Sequence, residues 1–351
     1  MNSLKDNNGL VTLSSDAPIT RIRLLLYAAV PDASMLQQGF YAAELDGLLS
    51  QPGVAEVRST NKLKDVWSND YDGLISYFYS HTALASLIAR LRRKKVIATG
   101  GGEQVFRFMS SSASLYIVRI ILFSLSLLFS NYILATSTSD FLKMRSIGFF
   151  RRSAIKLSFH GAPAVDKLDR ADFARQRPKG SMLTICGMDT YANIKRKGLF
   201  RAIDLLSKIR KHDPAACLTI IGRTTCSCFV RKYALEKSCE DALVFAGYVS
   251  ENDKLELLRS NRYYIQLSDY EGFGIGALEA MAMGCQVVHS NVGGLRDTVA
   301  DFGIKLAPDD PIELDIEGPY EIADWEKFTN HMSQFSVSKR ASDILVALGL
   351  K

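Results

Sequence analysis

Two glutamates, Glu271 and Glu279, stand eight residues apart, with Gly272-Phe273-Gly274-Ile275-Gly276 between them. The segment follows an apolar run and opens a helical one. Glycines let a backbone approach a ligand closely and take positive φ angles. The first turn of a helix adds N–H groups without intrahelical acceptors and the positive end of the helix dipole. The stretch therefore suits an anion, above all a pyrophosphate. A carboxylate accepts paired hydrogen bonds from adjacent hydroxyls. One carboxylate on each flank of a phosphate cradle fits a ligand with hydroxyls on both sides of its phosphates, which describes a sugar nucleotide.

A second chemistry fits part of the same stretch. Gly272, Gly274 and Ala277 after a strand match a dinucleotide-binding fingerprint. That motif needs an acid closing the next strand about 20 residues on. The next strand closes on His289-Ser290-Asn291, so a dehydrogenase is disfavoured.

These residues need strands and helices to carry them. Short apolar runs alternate with helical periodicity along most of the chain, the pattern of parallel sheets covered by helices. Strands are expected at 21–30, 71–78, 95–99 and 132–136, with helices at 38–50 and 81–93 and a long apolar helix before 132. Between 159 and 180 the pattern fades into Gly, Pro and charges, which reads as a linker. Strands at 182–187, 216–222, 243–246, 263–267 and 286–289 then alternate with helices at 199–211, 229–238, 252–260 and 277–283. The expected organisation is an N-terminal acceptor-binding domain at 1–165, a donor-binding domain at 166–335, and a final helix within 336–351 that packs back on the first domain. Doubly wound sheets bind ligands at the carboxyl ends of their strands, so a cleft between two facing sheets is expected.

The composition sets outer bounds. A chain of 351 residues, 47% apolar and 23% charged, is ordinary globular material and too long for one core. The net charge of +6 favours anionic partners without choosing among them. Six cysteines, at 186, 217, 226, 228, 239 and 285, lack zinc-site spacing and read as free thiols. Residues 1–18 lack a signal-peptide core, so a cytoplasmic location is expected. The most apolar stretch, 115–135, contains Arg119, Asn131 and three serines, which favours a helix running into a buried strand over a membrane span. Arg92-Arg93-Lys94-Lys95 is a solvated helix end that leaves peripheral contact with an anionic membrane open.

Glu271 and Glu279, with Gly-Phe-Gly and Glu279-Ala-Met-Ala-Met-Gly284, resemble the signature of the GT-B retaining glycosyltransferases of the family 4 type. The resemblance extends through 286–297, 218–222, 244–250 and Arg196-Lys197-Gly198, in the family's order, over roughly residues 180–310. It implies two Rossmann-like domains, metal-independent transfer of a sugar from a nucleotide sugar, and a glycan or lipid-linked acceptor in cell-surface polysaccharide synthesis. Nucleic acid is not an implied partner. Glu271 then matches the residue on the donor sugar, and Glu279 the one on the ribose. Phe273, Gly274 and Ile275, next to Gly272, match the amides facing the phosphates. Lys197 matches the cation on the diphosphate, where leaving-group charge builds, and Tyr248 and Val249 fall in the loop touching the base. Gly187-Met188 stands where many members carry Gly-Arg; Arg196, Lys195 and Arg223 are the nearest replacements. Gly101-Gly102-Glu103 is the expected acceptor-side loop, with Gly102 and Glu103 as its site residues, although Glu103 also suits a helix N-terminus. His81 is a weaker acceptor-side candidate. If no cation replaces the missing arginine, a catalytically impaired sugar-nucleotide-binding or scaffold protein is the alternative.

Overall fold

A computed structural model describes residues 21–79, 82–101, 105–106, 112–306 and 322–350. Its first sheet is built from β1 (Ile22–Ala28), β2 (Val54–Thr60), β3 (Gly73–Tyr77), β4 (Lys95–Gly100), β5 (Tyr132–Ala135) and β6 (Ile155–Leu157). They pair in parallel in the order β2-β1-β3-β4-β5-β6. The second sheet holds β7 (Ser181–Ile185), β8 (Cys217–Ile221), β9 (Leu243–Gly247), β10 (Tyr263–Gln266), β11 (Gln286–His289) and β12 (Ile304–Lys305). Its order, β12-β11-β10-β7-β8-β9, is also parallel throughout.

Both sheets are covered on both faces, as parallel sheets require. Along β1, Leu24 and Leu26 enter one apolar cluster while Leu25 and Tyr27 enter another. In the second sheet Leu218 and Ile220 join one cluster and Leu183 and Ile221 the other. The two-domain parallel architecture read from the sequence is thus present. The apolar stretch that raised the question of a membrane span is the helix Ala113–Phe129 followed by β5. Among the described residues no helix is long and apolar enough to cross a membrane.

The helix Val337–Leu348 packs Ala341, Ile344, Leu345 and Leu348 into the cluster of Leu24 and Leu26. Its Arg340 is buried and donates to Glu44 at 3.2 Å, Thr99 Oγ1 at 2.6 Å and Ser158 O at 3.1 Å. Three segments far apart in sequence converge on one guanidinium, and its burial is tolerable because its donors are occupied.

The segment 159–180 joins the two domains, but it is not the irregular stretch that its composition suggested. It forms short helices at Val165–Lys167 and Arg170–Phe173, with Ala162, Ala164 and Val165 buried against the second domain. Asp172 is buried between Arg175 at 2.8 Å and Arg259 at 3.2 Å. Charges that neutralise one another pack, so polar composition misled. The edge strand β2 gave no signal either, because Val54–Thr60 is half polar and lies at the sheet margin.

Candidate active site

The strand order of the second sheet reverses between β7 and β10, and the chain leaves both strands at the same edge. Such a switch point opens a crevice between the two outgoing loops. Here the segment 186–198 after β7 lies against the loop 267–274 after β10. The approach is close: a Cβ on Gly198, which has φ of 69°, would sit 1.8 Å from the Leu267 carbonyl oxygen. The Asp269 N–H donates to the Arg196 carbonyl at 2.8 Å.

This contact brings Lys197 to Glu271 across 74 residues, with Nζ donating to Oε2 at 2.7 Å. Both side chains are largely shielded, at 21% and 12% exposure. Gln266 Nε2 also donates to Glu271 Oε2, at 3.0 Å, while Gln266 Oε1 accepts from the buried Tyr264 hydroxyl at 2.8 Å. Beneath the loop, Gly294 N–H donates to Glu271 O at 2.8 Å. Gly293, with φ of 53°, passes so close that its Cβ would lie 2.0 Å from that oxygen. The Glu271 carboxylate is therefore held from above by side chains and its peptide from below by two glycines.

The cradle follows. Gly274 caps the helix Ile275–Ala282 in the left-handed region, at φ of 95°, with Leu295 and Thr298 filling the space a side chain would need. The N–H groups of the helix's first turn have no intrahelical acceptor. The Phe273 side chain turns away into the domain junction, against Phe159, His160 and Phe335, so only its backbone belongs to the cradle.

Glu279 lies one helix turn beyond and opens on a cleft of about 440 Å³ lined from both domains. Gln37, Gln38 and Asp46 come from the first domain, and Tyr248, Val249 and Glu251 from the second. The Tyr248 hydroxyl donates to Gln38 Oε1 across the cleft at 3.1 Å. Lys254 donates to Glu279 Oε1 at 2.9 Å and to Glu251 at 2.7 Å. Burial raises the Glu279 carboxyl above its ordinary value, and Lys254 offsets only part of that. Burial works against the charge of Lys254, but Glu279 and Glu251 together outweigh it and its pKa rises.

The cations are disposed unequally. Arg196 donates to Tyr270 O at 3.2 Å and to Asn193 Oδ1 at 2.8 Å, bracing the loop beside Glu271. Arg223 is two-thirds exposed and forks onto Asp189 at 2.8 and 3.3 Å. Met188 is buried in the domain core. Gly102, Glu103 and His81 lie outside the described residues. Two further bonds join the lobes near the site. Tyr270 donates its hydroxyl to the buried Asp140, and Thr138 N–H donates to Asp297 at 2.7 Å. Sequence reading missed Lys254, Gln266, Asn193 and Gln38. Of these, Gln266 had a local signal: a polar residue ending an apolar strand immediately before the Gly-rich loop.

Two facing parallel-sheet domains with the cleft between them make this the GT-B fold. The crystal structure of Anabaena Alr3699/HepE, in complex with UDP and glucose, superposes with a TM-score of 0.68 at 15% identity, over 94% of this chain and 100% of that one. Sucrose-phosphate synthase from Thermosynechococcus elongatus gives 0.59 at 16% identity, over 93% and 95%. Within the fold, residues 191–314 match the family model of glycosyl transferases group 1. The chain is 34% identical to glycogen synthase of Mycobacterium tuberculosis over 145 residues, 40% of this chain and 34% of that protein. It is 34% identical to O-antigen chain mannosyltransferase B of Escherichia coli over 134 residues, 38% and 34% of the two. The chain spans about a third of the length of the curated relatives it matches.

Proposed function

We propose that the protein is a glycosyltransferase that moves a sugar from a nucleoside-diphosphate sugar to a glycan or lipid-linked acceptor, with retention and without a metal, in cytoplasmic synthesis of a cell-surface polysaccharide. The observation that carries this is the Lys197–Glu271 pair at 2.7 Å beside the Gly274-capped helix, with Glu279 opening on the cleft from the same helix. The diphosphate would lie on the first-turn amides and share the Lys197 ammonium. A fixed cation and aligned dipoles stabilise the charge that grows on the leaving group. Glu271, partly released from Lys197, would accept hydrogen bonds from the donor sugar, and Glu279 those of the ribose, with Tyr248 and Val249 beside the base. Retention would have the departing phosphate take the acceptor's proton. The match over residues 191–314 and the names of the relatives support glycosyl transfer, and the UDP bound in the Anabaena structure of the same fold supports a nucleotide-sugar donor.

A second reading, a protein that binds the donor without turning it over, is favoured by Met188, an uncharged side chain buried in the domain core where the resemblance expects an arginine. One experiment separates them: nucleoside diphosphate release from UDP-, GDP- and ADP-sugars and nucleoside monophosphate release from CMP-sugars, in EDTA, alongside thermal shifts. One donor should stabilise the protein and release its nucleotide. Glu279→Gln should weaken that donor roughly 10- to 100-fold, as expected for losing a charge-assisted pair of hydrogen bonds worth about 1.5–3 kcal/mol. Stabilisation without release supports the second reading; no response to any donor rejects both.

A further inference from the structure

The helix Ala113–Phe129 has two apolar faces. The inner one, with Phe123, Ser126 and Leu127, is buried on the first sheet. The outer one shows Ile117, Val118, Ile121 and Leu128 at 49–58% exposure, at the three- and four-residue steps of one helix side. At its C-terminal end stand Phe149 at 69% and Phe150 at 48%. These belong to one surface. Arg151 reaches across to donate to the carbonyls of Leu128 at 2.9 Å and Ser130 at 3.0 Å, and a Cβ on Gly148 would meet Leu127 at 2.6 Å. Isolated exposed apolar residues are ordinary; a continuous tract of this kind marks an interaction surface.

The segment that carries this face is strongly cationic. From 112 to 156 the chain carries Arg119, Lys143, Arg145, Arg151, Arg152 and Lys156, and its single acid is Asp140. Asp140 is buried and accepts the Tyr270 hydroxyl, so it does not offset the surface cations. Arg145, Arg152 and Lys156 are exposed. Arg145 and Lys156 lie over the Phe141 and Tyr132 rings, with their charged ends still open to solvent.

We propose that this face docks the first domain on an anionic lipid bilayer, with the helix lying in the plane of the interface. Apolar side chains would enter the headgroup boundary while the flanking cations meet lipid phosphates, each worth about 1 kcal/mol near such a surface. A second copy of the chain fits less well, because a twofold contact would set this cationic face against itself. Vesicle binding needs no turnover, so its outcome is independent of the catalytic reading.

The test is co-sedimentation of the full chain with vesicles of phosphatidylcholine plus phosphatidylglycerol, and with phosphatidylcholine alone. The wild type should bind the mixed vesicles, more weakly at high salt, and bind phosphatidylcholine poorly. Phe149→Ser with Phe150→Ser, and separately Arg145→Glu with Arg152→Glu, should each lower the partition at least about tenfold, with circular dichroism and melting temperature retained. The proposal is overturned if the wild type ignores the mixed vesicles, if both folded double variants bind as well as it does, or if the phenylalanine pair instead abolishes a dimer seen without lipid.

Discussion

Gly293→Ala tests whether Glu271 is held by the loop beneath it. The added Cβ would fall 2.0 Å from the Glu271 carbonyl oxygen, whereas real Cβ contacts stop near 3.0 Å, so one backbone must move by about 1 Å. The residue also has φ of 53°, where a side chain costs about 1–2 kcal/mol. A misplacement of 1 Å in a catalytic group can lower a rate about a hundredfold. Gly349→Ala is the matched control. Its φ of 64° carries the same backbone cost, but its Cβ would meet nothing within 4 Å, at the far end of the final helix. Urea denaturation and initial rates of donor breakdown, measured on both variants, separate strain from displacement. Both should lose about 1–2 kcal/mol of stability, Gly293→Ala somewhat more. Only Gly293→Ala should lose turnover, by about a hundredfold. Should its rate stay within about twofold of the control, Glu271 does not depend on that glycine and the positioning account fails.

On the proposed reading, Lys197→Ala should depress kcat by roughly 10²–10³-fold with a smaller change in KM, because its cation would matter most as leaving-group charge develops; a pure KM effect would reassign it to donor binding. Arg196→Ala should cost more activity than Arg223→Ala, since Arg196 braces the Tyr270 carbonyl while Arg223 is spent on Asp189 in solvent; steady-state kinetics with the reverse ranking would make Arg223 the replacement for the missing arginine. Acid should loosen the final helix from the first domain. Burial alone would raise the Glu44 carboxyl, but Arg340 and then His160 outweigh it and hold its pKa at about 2. A depressed carboxylate stabilises the fold above its ordinary value and loses that contribution as pH falls toward the folded one. Melting temperature should therefore drop between about pH 4.5 and 2. Glu44→Gln, which strands the buried Arg340, should cost about 3–5 kcal/mol at neutral pH and flatten the acid limb; an unchanged melting profile would dismiss the network.

The sequence by itself determined the cradle. Glu271, the glycines through 276 and Glu279 are contiguous, and their conformation follows from short-range sterics: an apolar strand, residues free to take positive φ, and a helix start. The alternation of apolar runs with helical periods likewise announced two parallel sheets, because crossover helices must bury strands on both faces. What the sequence left undecided were the partners. Lys197 meets Glu271 because parallel crossovers return distant segments to one edge, and Lys254 meets Glu279 and Arg340 meets Glu44 because helices distant in sequence pack side by side. No local preference encodes which cation arrives. The same reason hid the packing of 159–180, whose charges looked solvated until Asp172 found two arginines. It also hid the outer face of Ala113–Phe129, since an apolar helix reads alike whether one side or both are covered.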